Sequence, residues 1–178
     1  MEEKLKSIYL NIHDLLKFAE AKNAMVIAFS GAAILGLLKI ICDSKEMLWY
    51  IHWYLLFFIS LSLLALMVSL VSFAPQTKVA WLGLCREPKG HDNLLFFGCI
   101  QHYKPIEYLK SLKEATDIKN NSFTKLELDY AEQIITISKI ASRKYVFFRT
   151  SIWLLISGVA TPLLAALIFI LIDPQENN

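Results

Sequence analysis

Charge, glycine, proline and cysteine are all scarce in this chain. Only 19% of its 178 residues are Asp, Glu, Lys or Arg, against 56% hydrophobic, a balance unlike that of a soluble domain and expected of a membrane protein. Six glycines and five prolines, with no alternating apolar and polar runs, argue against a β-barrel and for helices throughout. The three cysteines, Cys42, Cys85 and Cys99, are odd in number and scattered, so no disulfide framework is implied. There is no Walker A or dinucleotide glycine pattern, no HExxH and no paired CxxC. No serine is ordered with a base and an orienting acid, and the chain is not expected to be an enzyme.

What is present is apolar sequence in long runs. About 20 mostly apolar helical residues cross roughly 30 Å of hydrocarbon, and three stretches are long enough. The first, 24–42, carries a single charge, Lys39, close enough to its end to snorkel outward. The second, 47–74, has no formal charge and must tilt or leave its aromatic end in the interface. The third is 150–172. The expected fold is an all-α membrane protein with three transmembrane helices, an N-terminal amphipathic helix over 1–23 and a cytosolic helical domain over 75–149.

Lysine and arginine orient it. Asp43-Ser44-Lys45-Glu46 alone separates the first two spans, which makes them a hairpin with one lysine at its tip. Residues 75–149 carry 12 Lys/Arg against 8 Asp/Glu, a net of +4, and the first 23 residues add four lysines on the same side. Positive charge marks the cytoplasmic face. The N-terminus and the middle domain are therefore expected inside, with the hairpin tip and the acidic tail 173–178 outside. The acidic, amphipathic start does not resemble a cleavable signal peptide.

Leu5, Ile8, Ile12, Leu15, Leu16 and Ala19 recur at spacings of three and four, which places them on one helical face. That face either packs on the protein's own cytosolic domain or lies on lipid. Residues 75–103 read as loop-rich, and Pro105 starts a short helix reaching about Ala115. Thr124 and Glu127 have capping-box spacing. From there Leu126, Tyr130, Ile134, Ile137, Ala141, Tyr145 and Phe148 form an apolar stripe that no Gly or Pro separates from the third span. A helix running on to Pro162 or beyond would be a rod of roughly 70 Å, a stalk or a mechanical link. Arg143, Lys144 and Arg149, among Tyr145, Phe147, Phe148 and Trp153, suit membrane anchoring and also a phosphate-bearing ligand.

Ala28, Ala32 and Gly36 share a face of the first span, and Ser157, Thr161 and Ala165 one of the third. Such faces let helices approach closely, within a chain or between chains. Intramembrane acidic residues are absent and three helices enclose no useful aqueous path, so a monomeric transporter is not expected. Cys85, His91, Cys99 and His102 are zinc-type ligands, but their spacings match no standard site and no metal is expected.

Several segments, taken in order, resemble one family. They are FAEAKNAMVIAFSGAAILGLL, a hydrophobic hairpin, NLLFFGCI, EYLKSL, and QIITISKIASRKY entering a last span. This order looks like the transmembrane effectors of bacterial Pycsar antiphage systems over almost the whole chain. Glu20 and Lys22, Asn93 to Ile100, and Gln133 to Tyr145 carry most of the likeness. Glu20 stands where the family often has Asp, a small departure.

The resemblance implies an effector acting beside a pyrimidine cyclase, triggered by cyclic UMP or cyclic CMP to damage the membrane and abort infection. Related effectors answer to cyclic oligonucleotides. A phosphodiester needs cationic donors and a base needs an aromatic or apolar shelf. Arg86, Lys89, Arg143 and Lys144 are the candidate cations, and Trp81, His91, Asn93, Phe96 and Phe97 the candidate shelf and polar partners. The implied partners are the lipid bilayer, the nucleotide and further copies of the chain, with no nucleic acid and no cofactor beyond the activating ligand. LLFFG is expected to pack on the stripe of the long helix. A partner-controlled membrane scaffold or toxin-like subunit that binds no nucleotide is the alternative.

Overall fold

The computed structural model describes residues 1–44, 48–74, 92–117 and 122–172, the side chains of 163 and 165–172 excepted. Among the described residues every regular element is a helix: α1 (Glu2–Asp43), α2 (Trp49–Phe73), α3 (Phe97–Ile100), α4 (Pro105–Glu114) and α5 (Lys125–Ile172). The chain divides into two compact units. One comprises Met1–Ala21 and Pro75–Val146, the other Lys22–Ala74 and Phe147–Asn178.

Local chemistry sets the helix starts. Glu2 and Glu3 place negative charge at the positive end of α1. Pro105 opens α4, where its missing N–H has no helical partner to lose. The capping box forms at α5: the Thr124 N–H donates to Glu127 Oε2 and the Glu127 N–H to Thr124 Oγ1, each at 3.2 Å. Pro162 lies inside α5 and does not end it. Within the described part of the expected loop, residues 92–103, lies a short helix, α3, that no pattern in the sequence announces.

In the first unit Leu5, Ile8 and Ile12 of α1 pack into one core with Ile100, Tyr103, Tyr108, Leu109, Leu112, Ala131, Ile134, Ile135 and Ile137. The amphipathic face thus meets the unit's own core, the first of its two alternatives. The stripe on α5 is rotated slightly from the expected one. Leu126 is exposed, while Glu127, Ala131 and Ser138 are buried. Glu127 is held inside because Lys113 of α4 lies 3.9 Å away, with both side chains less than a tenth exposed. Lys113 also donates to the Ser122 carbonyl at 2.6 Å and sits 4.2 Å from the Phe123 ring centre. A buried pair needs such extra partners to offset desolvation.

In the second unit the buried residues of α2 are Phe58, Ser62, Ala65, Ser69 and Ser72. Their alternating spacings of four and three are those of a helix packed along one seam. Val26, Ala65 and Leu155 bring α1, α2 and α5 into one apolar cluster. A Cβ added at Gly158 would stand 2.8 Å from Phe58 Cδ2, so α2 and α5 approach here only because this residue has no side chain. Among the described residues two helices, Glu2–Asp43 and Trp49–Phe73, are long and apolar enough to cross a membrane.

Candidate functional site

The stretch HDNLLFFGCIQHY is built around a turn. The Asn93 carbonyl accepts from the Phe96 N–H at 3.2 Å and its side-chain Oδ1 accepts from the Leu95 N–H at 2.9 Å, an Asx turn that leads into α3. The turn and the extended Phe96 that follows it send neighbouring side chains in different directions. Leu94 and Phe97 pack against the core, whereas Leu95 and Phe96 stay about half exposed. LLFFG therefore contributes half of its large side chains to packing and presents the other half outward.

Phe97 stacks on Tyr145 of α5, with ring centres 5.3 Å apart and planes 20° from parallel. Tyr145 in turn donates to the Leu15 carbonyl of α1 at 3.4 Å. One residue before it, Lys144 pairs with Glu20 at 3.1 Å, the lysine side chain 12% and the glutamate 44% exposed. An aromatic shelf and an ion pair thus lie on adjacent residues of α5, held by α3 on one side and α1 on the other. Burial pushes the Tyr145 phenol above its ordinary pKa of 10.0, which keeps it a neutral donor at physiological pH.

A second polar arrangement lies inside the other unit. Ser69 Oγ bonds to Ser151 Oγ at 2.9 Å, and Ser151 Oγ donates to the Ala65 carbonyl at 3.1 Å. Ser30 and Ser62 are fully buried on the same three helices. In sequence these inward serines escape notice because they read as ordinary small residues in hydrophobic runs. Ser62, Ser69 and Ser72 follow one another at seven and three residues on α2, which keeps them on one face, and this spacing is the signal that finds them.

Of the residues singled out for ligand binding, Arg86, Lys89 and His91, like Trp81 and Cys85, lie outside the described residues. Asn93 is exposed and shapes its turn, Phe97 supports Tyr145, Lys144 is engaged by Glu20, and Arg143 is partly buried. The fold brings Phe97 next to the Lys144-Tyr145 step, while the Asn93 side chain is turned back onto its own loop. Among the described residues no group of three or more His, Cys, Asp or Glu could hold a metal ion.

The helix-packing candidates fall on the outer faces. Ala28, Ala32, Gly36, Ser157 and Thr161 are largely exposed, and the side chain of Ala165 lies outside the described residues. Ser157 and Thr161 turn their hydroxyls onto their own helix, to the Trp153 and Ser157 carbonyls at 2.8 and 2.7 Å. Packing inside the chain uses neighbouring faces instead, Val26 and Ser30 on α1 and Ser151, Leu155 and Gly158 on α5.

No curated protein and no solved structure matches the chain. A family does: the Pycsar effector protein domain matches residues 4–172. It is a membrane effector domain and not a known enzyme family, in keeping with the two long apolar helices. By a match that spans nearly its whole length, the chain belongs to the Pycsar effector protein domain family.

Proposed function

We propose that this antiphage effector senses a cyclic nucleotide, with cyclic UMP or cyclic CMP favoured, and oligomerises in the bacterial inner membrane to permeabilise it and abort infection. The observation that carries the reading is the family match over residues 4–172, and the apolar helices support it. The chain crosses the bilayer three times, at 24–42, 47–74 and 150–172, with its N-terminus and residues 75–149 in the cytosol. Residues 1–23 are the amphipathic cytosolic helix and 173–178 a short external tail.

Nucleotide arrives from a neighbouring cyclase and meets the cytosolic cations and aromatics, with Arg86, Lys89, His91, Asn93, Phe97, Arg143 and Lys144 as the candidate contacts. A ligand shifts assembly only by binding one state better than another. Because Lys144 is already paired with Glu20, nucleotide phosphate would compete with the Glu20 carboxylate. Binding and loosening of α1 from α5 then become one event. The outward small-residue faces at Ala28, Ala32 and Gly36, and at Ser157 and Thr161, supply contacts between copies.

The same ion pair also supports a second reading. With Glu20 satisfying Lys144, the site is closed without any nucleotide, as a partner-controlled membrane scaffold or toxin-like subunit would be.

The test is purified protein in liposomes loaded with a self-quenched dye. Leakage and assembly with cyclic UMP, cyclic CMP or another signalling nucleotide are the expected result, preceded by a rise in melting temperature of the detergent-solubilised protein. No leakage and no thermal shift across the panel would transfer the weight to the scaffold.

A further inference from the structure

Inside the second unit, hydroxyls stand where apolar side chains would pack at lower free energy. Ser62 and Ser69 flank the buried Ala65 on α2, Ser30 lies one turn from the buried Val26 on α1, and Ser151 one turn from Leu155 on α5. Ser69 and Ser151 satisfy one another and the Ala65 carbonyl. Ser30 and Ser62 differ: each is 0% exposed and its Oγ has no hydrogen-bond partner among the described residues.

A serine in a helix can usually turn back onto the carbonyl four residues earlier. Ser138, Ser157 and Thr161 all do so in this chain. Ser30 and Ser62 do not. Leaving a buried hydroxyl unmatched is destabilising, and alanine at either position would avoid that cost. Water is the small group that can both donate to and accept from such hydroxyls.

The positions have a direction. In the proposed orientation Ser69 and Ser151 lie toward the cytosolic ends of their spans, and Ser30 and Ser62 nearer the middle. From the cytosolic end of α2 to Ser62 is about 17 Å of helix, roughly half of a hydrocarbon core of about 30 Å. Beyond Ser62 the same seam of α2 is occupied by Phe58, seated against Gly158. The run of buried serines on α2 stops there.

We propose that this seam is the water-facing surface of the open lesion. When the three helices part, the hydroxyls of Ser30, Ser62, Ser69 and Ser151 turn toward a lumen and pass water and small cations, while Phe58 on Gly158 closes the track at rest. Hydroxyl oxygens replace part of a cation's hydration shell, and these four positions carry no fixed charge that would trap an ion. The inference rests on the membrane-permeabilising reading and names the residues through which it acts.

The test is cysteine accessibility in proteoliposomes. In a Cys42→Ser, Cys85→Ser, Cys99→Ser background, Ser62→Cys and separately Ser30→Cys are exposed to a sulfonated, membrane-impermeant methanethiosulfonate. Leu63→Cys, on a half-exposed apolar face of α2, is the control. The cysteine thiolate, which forms where water reaches the sulfur, attacks the sulfenyl sulfur of such reagents and expels methanesulfinate as the mixed disulfide forms. Rates are measured without nucleotide and with cyclic UMP or cyclic CMP, and dye leakage is followed in the same vesicles.

The expected result is that the Ser62→Cys and Ser30→Cys proteins label about tenfold or more faster than the Leu63→Cys control, and that whatever accelerates leakage accelerates the labelling. Leakage with both serine-derived thiols no faster than the control would overturn the seam and leave permeabilisation standing. If neither nucleotide causes leakage, the permeabilising reading fails on its own terms. Basal labelling then still decides the seam: preferential reaction of the Ser62→Cys or the Ser30→Cys protein supports a wettable track, and its absence in both overturns it. Two separate positions guard against one variant that fails to fold.

Discussion

The Tyr54 hydroxyl donates to the Gly158 carbonyl at 3.3 Å, and that carbonyl is the one whose helical partner would be the N–H of residue 162, which is a proline. An unsatisfied carbonyl in an apolar setting costs free energy comparable to a lost hydrogen bond. Tyr54 thus supplies from α2 the donor that α5 lacks. This is one reason α5 continues past Pro162.

Tyr54→Phe is expected to lower stability by about 1 kcal/mol, the low end of the cost of an unmatched buried group because the bond is long. Pro162→Ala restores the missing N–H, so the same Tyr54→Phe change made in that background should cost much less. Melting temperatures of the four proteins in one detergent form the double-mutant cycle. Equal losses in both backgrounds would mean that the hydroxyl does not serve the orphaned carbonyl.

Gly158 offers a prediction in which two effects oppose one another. Alanine gains up to about 1 kcal/mol over glycine within a helix, but its Cβ would stand 2.8 Å from Phe58 Cδ2, and overpacking costs about 1–3 kcal/mol. Gly158→Ala alone is therefore expected to destabilise. With Phe58→Leu in place, the ring is gone and the alanine should stabilise relative to that single variant. Thermal melts that show no change of sign would place the cost elsewhere than at this contact.

The Thr124/Glu127 cap and the Pro105 start are legible in the sequence because capping is a local exchange between side chain and backbone over four residues. The face of α1 bearing Leu5, Ile8 and Ile12 is legible from periodicity alone, though what covers it is not. Interhelical packing hides better. Small residues at Ala28, Ala32 and Gly36 have the spacing of a close-approach face, yet they point outward while Gly158 makes the close approach. Spacing identifies which residues share a face and does not say which face meets a neighbour. The candidate site is less legible still: Lys144 looks like a free cation in sequence, and only the fold shows Glu20 beside it.

That ion pair can be tested apart from ligand binding. Lys144→Glu places two carboxylates together and is expected to weaken the first unit by more than the loss of one partly exposed pair, which is about 0.5–1 kcal/mol. Exchanging the charges, Glu20→Lys with Lys144→Glu, should recover most of that stability. If Lys144 also contacts nucleotide phosphate, the exchanged protein stays folded and inserted but loses its ligand-induced thermal shift. Recovery of both stability and response would assign Lys144 a structural role alone.

Tyr108 makes stability depend on alkaline pH. It is fully buried, its hydroxyl donates to the Leu94 carbonyl at 2.9 Å, and burial, helped by the neighbouring Tyr103, pushes its phenol far above the ordinary 10.0. Tyr103 is raised too, chiefly by burial and then by Asp92 and Cys99. A group whose folded pKa is raised contributes stability that is complete below the unfolded value and is lost as pH climbs toward the folded one. Above about pH 10 the unfolded chain sheds the Tyr108 proton while the native state must keep it, and stability falls by about 1.4 kcal/mol per pH unit for each such group. Chemical denaturation of the wild type and of Tyr108→Phe, followed from about pH 8 to about pH 11, isolates this contribution from every other group in the chain. The variant should be less stable at the lower pH, having lost the bond to Leu94, and should fall less steeply at the higher one. Parallel slopes would show that Tyr108 ionises as readily in the folded protein as in the unfolded chain.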